Sequence, residues 1–122
     1  DIEYTIRFQN TGTDTAFNVV IMDTLSANVN PNTVRALAGS HDYRFERISG
    51  NVLRFSFDNI MLPDSNVNEP LSNGFVKFRI AQMADLEDYT LIENNAAIYF
   101  DFNEHVIIIT YTHTIGVVFI DL

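Results

Sequence analysis

Ile2, Tyr4, Ile6 and Phe8 alternate with Glu3, Thr5 and Arg7 at the start of the chain. A period of two places the four apolar side chains on one face of an extended strand; a helix would scatter them around its axis. The segment from Gln9 to Asp14 follows with turn formers, including Gly12, available for a positive φ. From Ala16 to Met22 the chain resumes as a strand with Phe17, Val19 and Ile21 on one face. Strand, turn, strand and then a corner at Asp23, Thr24 and Leu25 set the pattern for the rest.

The pattern repeats downstream. Residues 34 to 38 form a short, weak strand, and residues 43 to 48 form one of ambiguous phase. Ser49, Gly50 and Asn51 form a hairpin turn, and Leu53, Phe55 and Phe57 line one side of the next strand. Ile60 and Leu62 plug the end of the core at the following corner. Val76, Phe78 and Ile80 face inward from the strand over residues 75 to 81, with Phe75, Lys77 and Arg79 outward. The acids Asp85, Glu87 and Asp88 make residues 82 to 88 a loop. Residues 91–102 and 105–115 pair as a closing hairpin that turns at residues 101 to 104. About eight or nine short strands without an amphipathic helix imply an all-β, immunoglobulin-like antiparallel β-sandwich of roughly 7–9 strands. The run from Val106 to Tyr111 is too apolar for an exposed edge, so it should be internal to a sheet or covered by a neighbouring domain.

A chain of 122 residues reads as one domain over positions 1–122, and its start inside a strand-like pattern at Asp1 suggests a piece of a longer protein, which the resemblance described below implies is secreted. No cysteine is present, which removes disulfides, thiolate metal sites and a cysteine nucleophile. Sixteen acidic residues against seven basic ones give a formal charge of −9, a field that repels phosphate backbones and argues against nucleic acid as a partner. No stretch approaches the ~18 apolar residues of a membrane helix, so membrane insertion is not expected.

Four landmarks read in order carry a family resemblance. They are Tyr4, Thr5 and Ile6 ahead of Asn10, Thr11 and Gly12; Ala16 to Val19 leading to Asp23, Thr24 and Leu25; Leu62 to Ser65 ahead of the strand from Phe75 to Ile80; and Ile92 to Ile98 with Asn95, Ala96 and Ala97. The set resembles the conserved extracellular repeat domain of bacterial surface proteins. Phe100, Asp101, Phe102 and Asn103 resemble the variant found in secreted Bacteroidota proteins ahead of a type IX secretion sorting domain. The resemblance implies an immunoglobulin-like sandwich, an extracellular or cell-surface location, and a stalk, spacer or adhesin-associated role without catalytic residues. Asp14, Thr15 and Ala16, and Asp23, Thr24 and Leu25, fit the short O-glycosylation sequon of that phylum, making Thr15 and Thr24 candidate acceptors.

Residue chemistry suggests two further sites. Lys77 is the only lysine. With Asn94 or Asn95 as the amide and Glu93 or Asp101 as a buried acid, it supplies the residue types for an isopeptide bond. The outward phase of Lys77 argues instead for a solvated side chain. Asp101, Asn103 and Glu104 gather oxygens at a hairpin end, with Asp23, Asp64 and the acids at 85–88 near sandwich ends, so calcium is the one cofactor considered. None of these matches a calcium-loop spacing, and turn Asp and Asn side chains cap backbone without a metal. His105 and His113 lie eight residues apart on one strand, ~26 Å at strand rise, too far to share a metal. No nucleophile elbow occurs.

The expected function is therefore a non-catalytic structural or spacer module of a secreted or cell-surface protein, whose partners are neighbouring domains of its own polypeptide. The alternative is a carbohydrate- or protein-binding adhesin module. Tyr43, Tyr89, Tyr99 and Tyr111 are the tyrosines that would build its platform.

Overall fold

The computed structural model describes residues 1–101 and the backbone of the strand over 106–114. Eight strands run through the described residues: β1 (Ile2–Gln9), β2 (Val19–Thr24), β3 (Val29–Gly39), β4 (Arg44–Ser49), β5 (Val52–Phe57), β6 (Asn73–Gln82), β7 (Leu91–Phe100) and β8 (Val106–Thr114). A single 3-10 turn, Pro70–Ser72, is the one helical element among them. Every strand pairing is antiparallel. The strands form a three-stranded sheet in the order β1-β6-β3 and a five-stranded sheet in the order β4-β5-β2-β7-β8.

Alternation decides which side chains fill the space between the sheets. Ile2, Tyr4, Ile6 and Phe8 of β1 and Val76, Phe78 and Ile80 of β6 are buried from one side. Val19 and Ile21 of β2, Leu53, Phe55 and Phe57 of β5, and Ile92, Ala96 and Ile98 of β7 meet them from the other. Rings bridge the layers: Phe55 lies 5.7 Å from Phe78 and Phe8 lies 5.3 Å from Phe57, centroid to centroid. Each buried large apolar side chain contributes about 1.5–3 kcal/mol of transfer free energy.

The corners are tied by one asparagine. Asn10, buried just after β1, donates from Nδ2 to the carbonyls of Asp14 and Leu62 and accepts the Gly12 amide at Oδ1. Its own amide donates to the Ser72 carbonyl, and its carbonyl accepts from Ser65. Gly12 therefore sits in a turn closed by the Asn10 side chain and has no positive φ, contrary to the sequence expectation. The opposite pole is joined by Asn28, which donates from its side chain to the Leu91 carbonyl and accepts from the Met83 amide. Ile2 pairs with Ile80 and Thr114 pairs with Leu91, so the start of β1 and the end of β8 lie together at this second pole.

Three other expectations change. Phe17 is 53% exposed, because Ala16 takes the inward position in a bridge to Leu62 and the next buried residue, Val19, is three positions on. The weak strand at 34–38 is an eleven-residue strand whose register shifts twice, and those irregularities hide its alternation. Among the described residues β8 pairs only with β7 and forms the outer strand of its sheet, which removes the internal reading and leaves cover by a neighbouring domain as the other expectation.

Candidate functional site

Asp23 takes the third inward position of β2, after Val19 and Ile21, where an apolar residue would ordinarily sit. Asn94 takes an inward position of β7, which pairs with β2 so that Asp23 faces Ala96, two residues away. Asn94 Nδ2 donates to Asp23 Oδ2 at 2.6 Å, and both residues are buried. Asp23 Oδ1 and Asn94 Oδ1 have no hydrogen-bond partner. Tyr4 of β1 faces this pair from the other sheet, and the Asp23 charge helps to raise its phenol pKa.

Two acceptors with one donor between them call for a proton. Burial pushes the Asp23 carboxyl up to about 7, and the bond from Asn94 opposes this only in part. Burial, with the Asp23 charge second, pushes the Tyr4 phenol up to about 12. The site is a carboxyl held close to its midpoint at neutral pH beside a carboxamide, closed off from water. Such an acid can polarise an amide toward a nucleophile.

The nucleophile that the sequence nominated is elsewhere. Lys77 lies on the outer face of β6, opposite Thr5 of β1, with Nζ 5.9 Å from the centre of the Phe75 ring. Asn94 points into the core from the other sheet, so the fold does not bring the two together. Asn95 and Glu93 are on the exposed face of β7. Asp101 is at the end of that strand, where Oδ1 accepts the amides of Phe17 and Asn18, each at 2.8 Å. The acid that does meet Asn94 is Asp23. Its signal in the sequence is a carboxylate in phase with Val19 and Ile21, at the position that the sequence also marks as a corner.

Of the calcium candidates, Asp101 is occupied as a backbone cap, and Asn103 and Glu104 lie outside the described residues. Asp23 is in the core, and Asp64 is also buried, at a corner where its carbonyl accepts the amides of Val67 and Asn68. Among the described residues no three His, Asp or Glu side chains gather closely enough to hold a metal ion. Thr15 is half-buried in the turn before β2, and Thr24 is exposed at the end of β2. His105 lies outside the described residues, and His113 pairs through its backbone with Ile92. The tyrosines do not assemble a platform among the described residues. Tyr43 packs on Phe55 and Phe57, Tyr89 is in a loop, and Tyr99 is on the outer face of β7; the side chain of Tyr111 lies outside the described residues.

The two outer faces differ in charge. On the five-stranded sheet Arg44 pairs with Asp58 and Glu46, and Arg54 pairs with Glu46. On the three-stranded sheet Arg7, Arg35, Lys77 and Arg79 make no salt bridge among the described residues.

The whole sandwich superposes on the collagen-binding domain from a Staphylococcus aureus adhesin with a TM-score of 0.53, covering 93% of this chain and 85% of that one at 9% identity. At that identity the likeness establishes the fold alone, an immunoglobulin-like antiparallel β-sandwich. No curated protein matches the sequence. The family model for a domain of unknown function, DUF7619, matches residues 1–114, and the chain belongs to that family.

Proposed function

We propose that this domain is a non-catalytic structural module of a secreted or cell-surface bacterial protein. The observation that carries the reading is where its polar chemistry is spent. Asp23 and Asn94 are sealed between the sheets, Asn10 ties three corners, and Asp101 caps two amides. The likeness to an adhesin domain supports a cell-surface setting; the order of the motifs alone is the support for a place among the repeat-type modules of Bacteroidota ahead of a type IX sorting domain, with neighbours in the same polypeptide as partners. Ile2 and Thr114 share one pole, the one opposite Asn10. The test is replacement in the parent protein by an unrelated sandwich whose ends also share a pole. Retained export and parent activity support the reading; loss of a parent activity overturns it.

A second reading, an adhesin module for a carbohydrate or protein ligand, is favoured by the cations on the three-stranded sheet, which make no salt bridge among the described residues. Calcium at Asp101, Asn103 and Glu104 and O-glycosylation at Thr15 or Thr24 remain proposals of the same rank, supported by residue type.

A further inference from the structure

We propose that the outer face of the three-stranded sheet binds an anionic linear polysaccharide, one bearing carboxylate or sulfate groups. The proposal rests on the adhesin reading and names its face and ligand class.

Arg79 of β6 stands directly opposite Arg35 of β3, and both are exposed on the same face. Like charges directly opposed across strands destabilise a sheet. Lys77 is two residues along β6 from Arg79, ~7 Å at strand rise. Two residues further is Phe75, with Arg7 opposite it on β1. Four of the chain's seven cations thus lie on one face of a protein whose formal charge is −9. Acids border them too: Glu3, opposite Arg79 on β1, Asp1, which lines a groove there, and Glu69, which accepts from Gln9 two residues from Arg7. That groove, of about 460 Å³, runs between Arg35 and Arg79 and is also lined by Asn32 and Thr33. Planar guanidinium groups bind carboxylate and sulfate in two-point fashion, and amide and hydroxyl side chains match sugar hydroxyls.

The flat row of cations fits an extended chain carrying charge along its length. Phe75, half-buried beneath Lys77, adds a ring edge to the row. Nucleic acid is the weaker fit, because the acidic remainder of the molecule repels a polymer with a charge every ~1.7 Å.

The test is binding of the intact domain to alginate, heparin, dextran, duplex DNA and collagen at low and at physiological salt. The expected result is salt-sensitive binding to alginate or heparin, with the arm that binds identifying carboxylate or sulfate. The Arg35→Gln/Arg79→Gln double variant should weaken it by roughly tenfold or more, with a melting temperature no lower than wild type showing that the fold is intact. Arg44→Gln, on the other sheet, should bind as wild type. Equal losses from both variants overturn the proposal, as does preference for DNA or binding by self-association in sedimentation. Binding to dextran or collagen alone overturns this face and ligand while leaving the adhesin reading standing. No binding in any arm overturns both.

Discussion

Asn94 donates a hydrogen bond from Nδ2 to Oδ2 of Asp23 at 2.6 Å, between neighbouring strands and out of reach of water. The cost of burying that carboxylate appears in its titration. The folded carboxyl sits at about 7 against an ordinary 3.8, so the native state holds its proton where the unfolded chain has released it. The stability linked to this proton is fully present below the unfolded value and is lost as pH rises through about 7. Asp23→Asn carries no such titration. It should therefore gain on wild type between about pH 4 and 7, by at most ~4 kcal/mol, and level off above. Urea unfolding of both proteins across that range checks it. A difference that does not change with pH would show that Asp23 is not titrating as described.

Asn10 offers a second measurement. Its side chain satisfies two carbonyls and one amide at a corner where three segments meet. Asn10→Ala removes the side-chain donor to the Asp14 and Leu62 carbonyls and the acceptor of the Gly12 amide, while the Leu62 carbonyl keeps the Ala16 amide, so it should cost about 1–3 kcal/mol. Asn10→Asp keeps the shape but turns a donor into a charge facing two carbonyls. It should be at least as damaging at pH 7 and recover toward acid. A variant within ~0.5 kcal/mol of wild type, the range of ordinary surface substitutions, would remove the corner's dependence on this residue.

Asp23 and Asn10 mark where legibility in the sequence ends. Alternation located β1, β5, β6 and the paired β7 and β8, because each keeps its phase, and the core residues Leu53, Phe55, Phe57, Val76, Phe78 and Ile80 follow from it. It misplaced Phe17, because a three-residue step from Ala16 to Val19 breaks the period without any turn residue to announce it. It shortened β3, because two register shifts interrupt the pattern. The Asp23–Asn94 contact was invisible for a different reason. The residues are 71 apart, and only the pairing of β2 with β7 brings them together. The unpaired cations of the small sheet were readable one strand at a time, but not as a face until β3 was known to pair with β6.

Gly74 illustrates a close approach that only the packed sheets reveal. It pairs with Phe8 across β1 and β6, and a Cβ built on it would lie 2.4 Å from the Phe8 ring. Gly74→Ala should force that ring out of its contact with Phe57 and destabilise by about 1–3 kcal/mol. Phe8→Leu should relieve part of the clash, so the double variant should be less destabilised than the sum of the single changes. Strict additivity in denaturant unfolding would show that the ring is not the obstacle.

Asp101 has a positive φ of 52° and spends Oδ1 on two backbone amides. Asp101→Asn retains an acceptor and a residue that tolerates the left-handed conformation, whereas Asp101→Ala loses the acceptor. The alanine change should cost about 0.5–2 kcal/mol, as loss of a helix cap does, and the asparagine change less. If the carboxylate acts through those amides, excess chelator leaves the wild-type melting temperature unchanged. A fall on chelation, reversed by calcium and absent in Asp101→Ala, would assign the residue to a metal instead.

The last prediction concerns a bond. An amine attacking the Asn94 carboxamide would release ammonia, and Asp23 is placed to polarise that amide. Lys77, the chain's single lysine, lies on the outer face of the opposite sheet, over Phe75. Reaching Asn94 would require it to cross the packed layer formed by Val76, Phe78 and their partners. The intact mass should therefore equal that of the sequence, with no loss of ~17 Da. Lys77→Arg should leave the melting temperature unchanged, because an outward cation contributes little to stability. A mass deficit of ~17 Da that disappears in Lys77→Arg would mean that the lysine reaches the core amide after all.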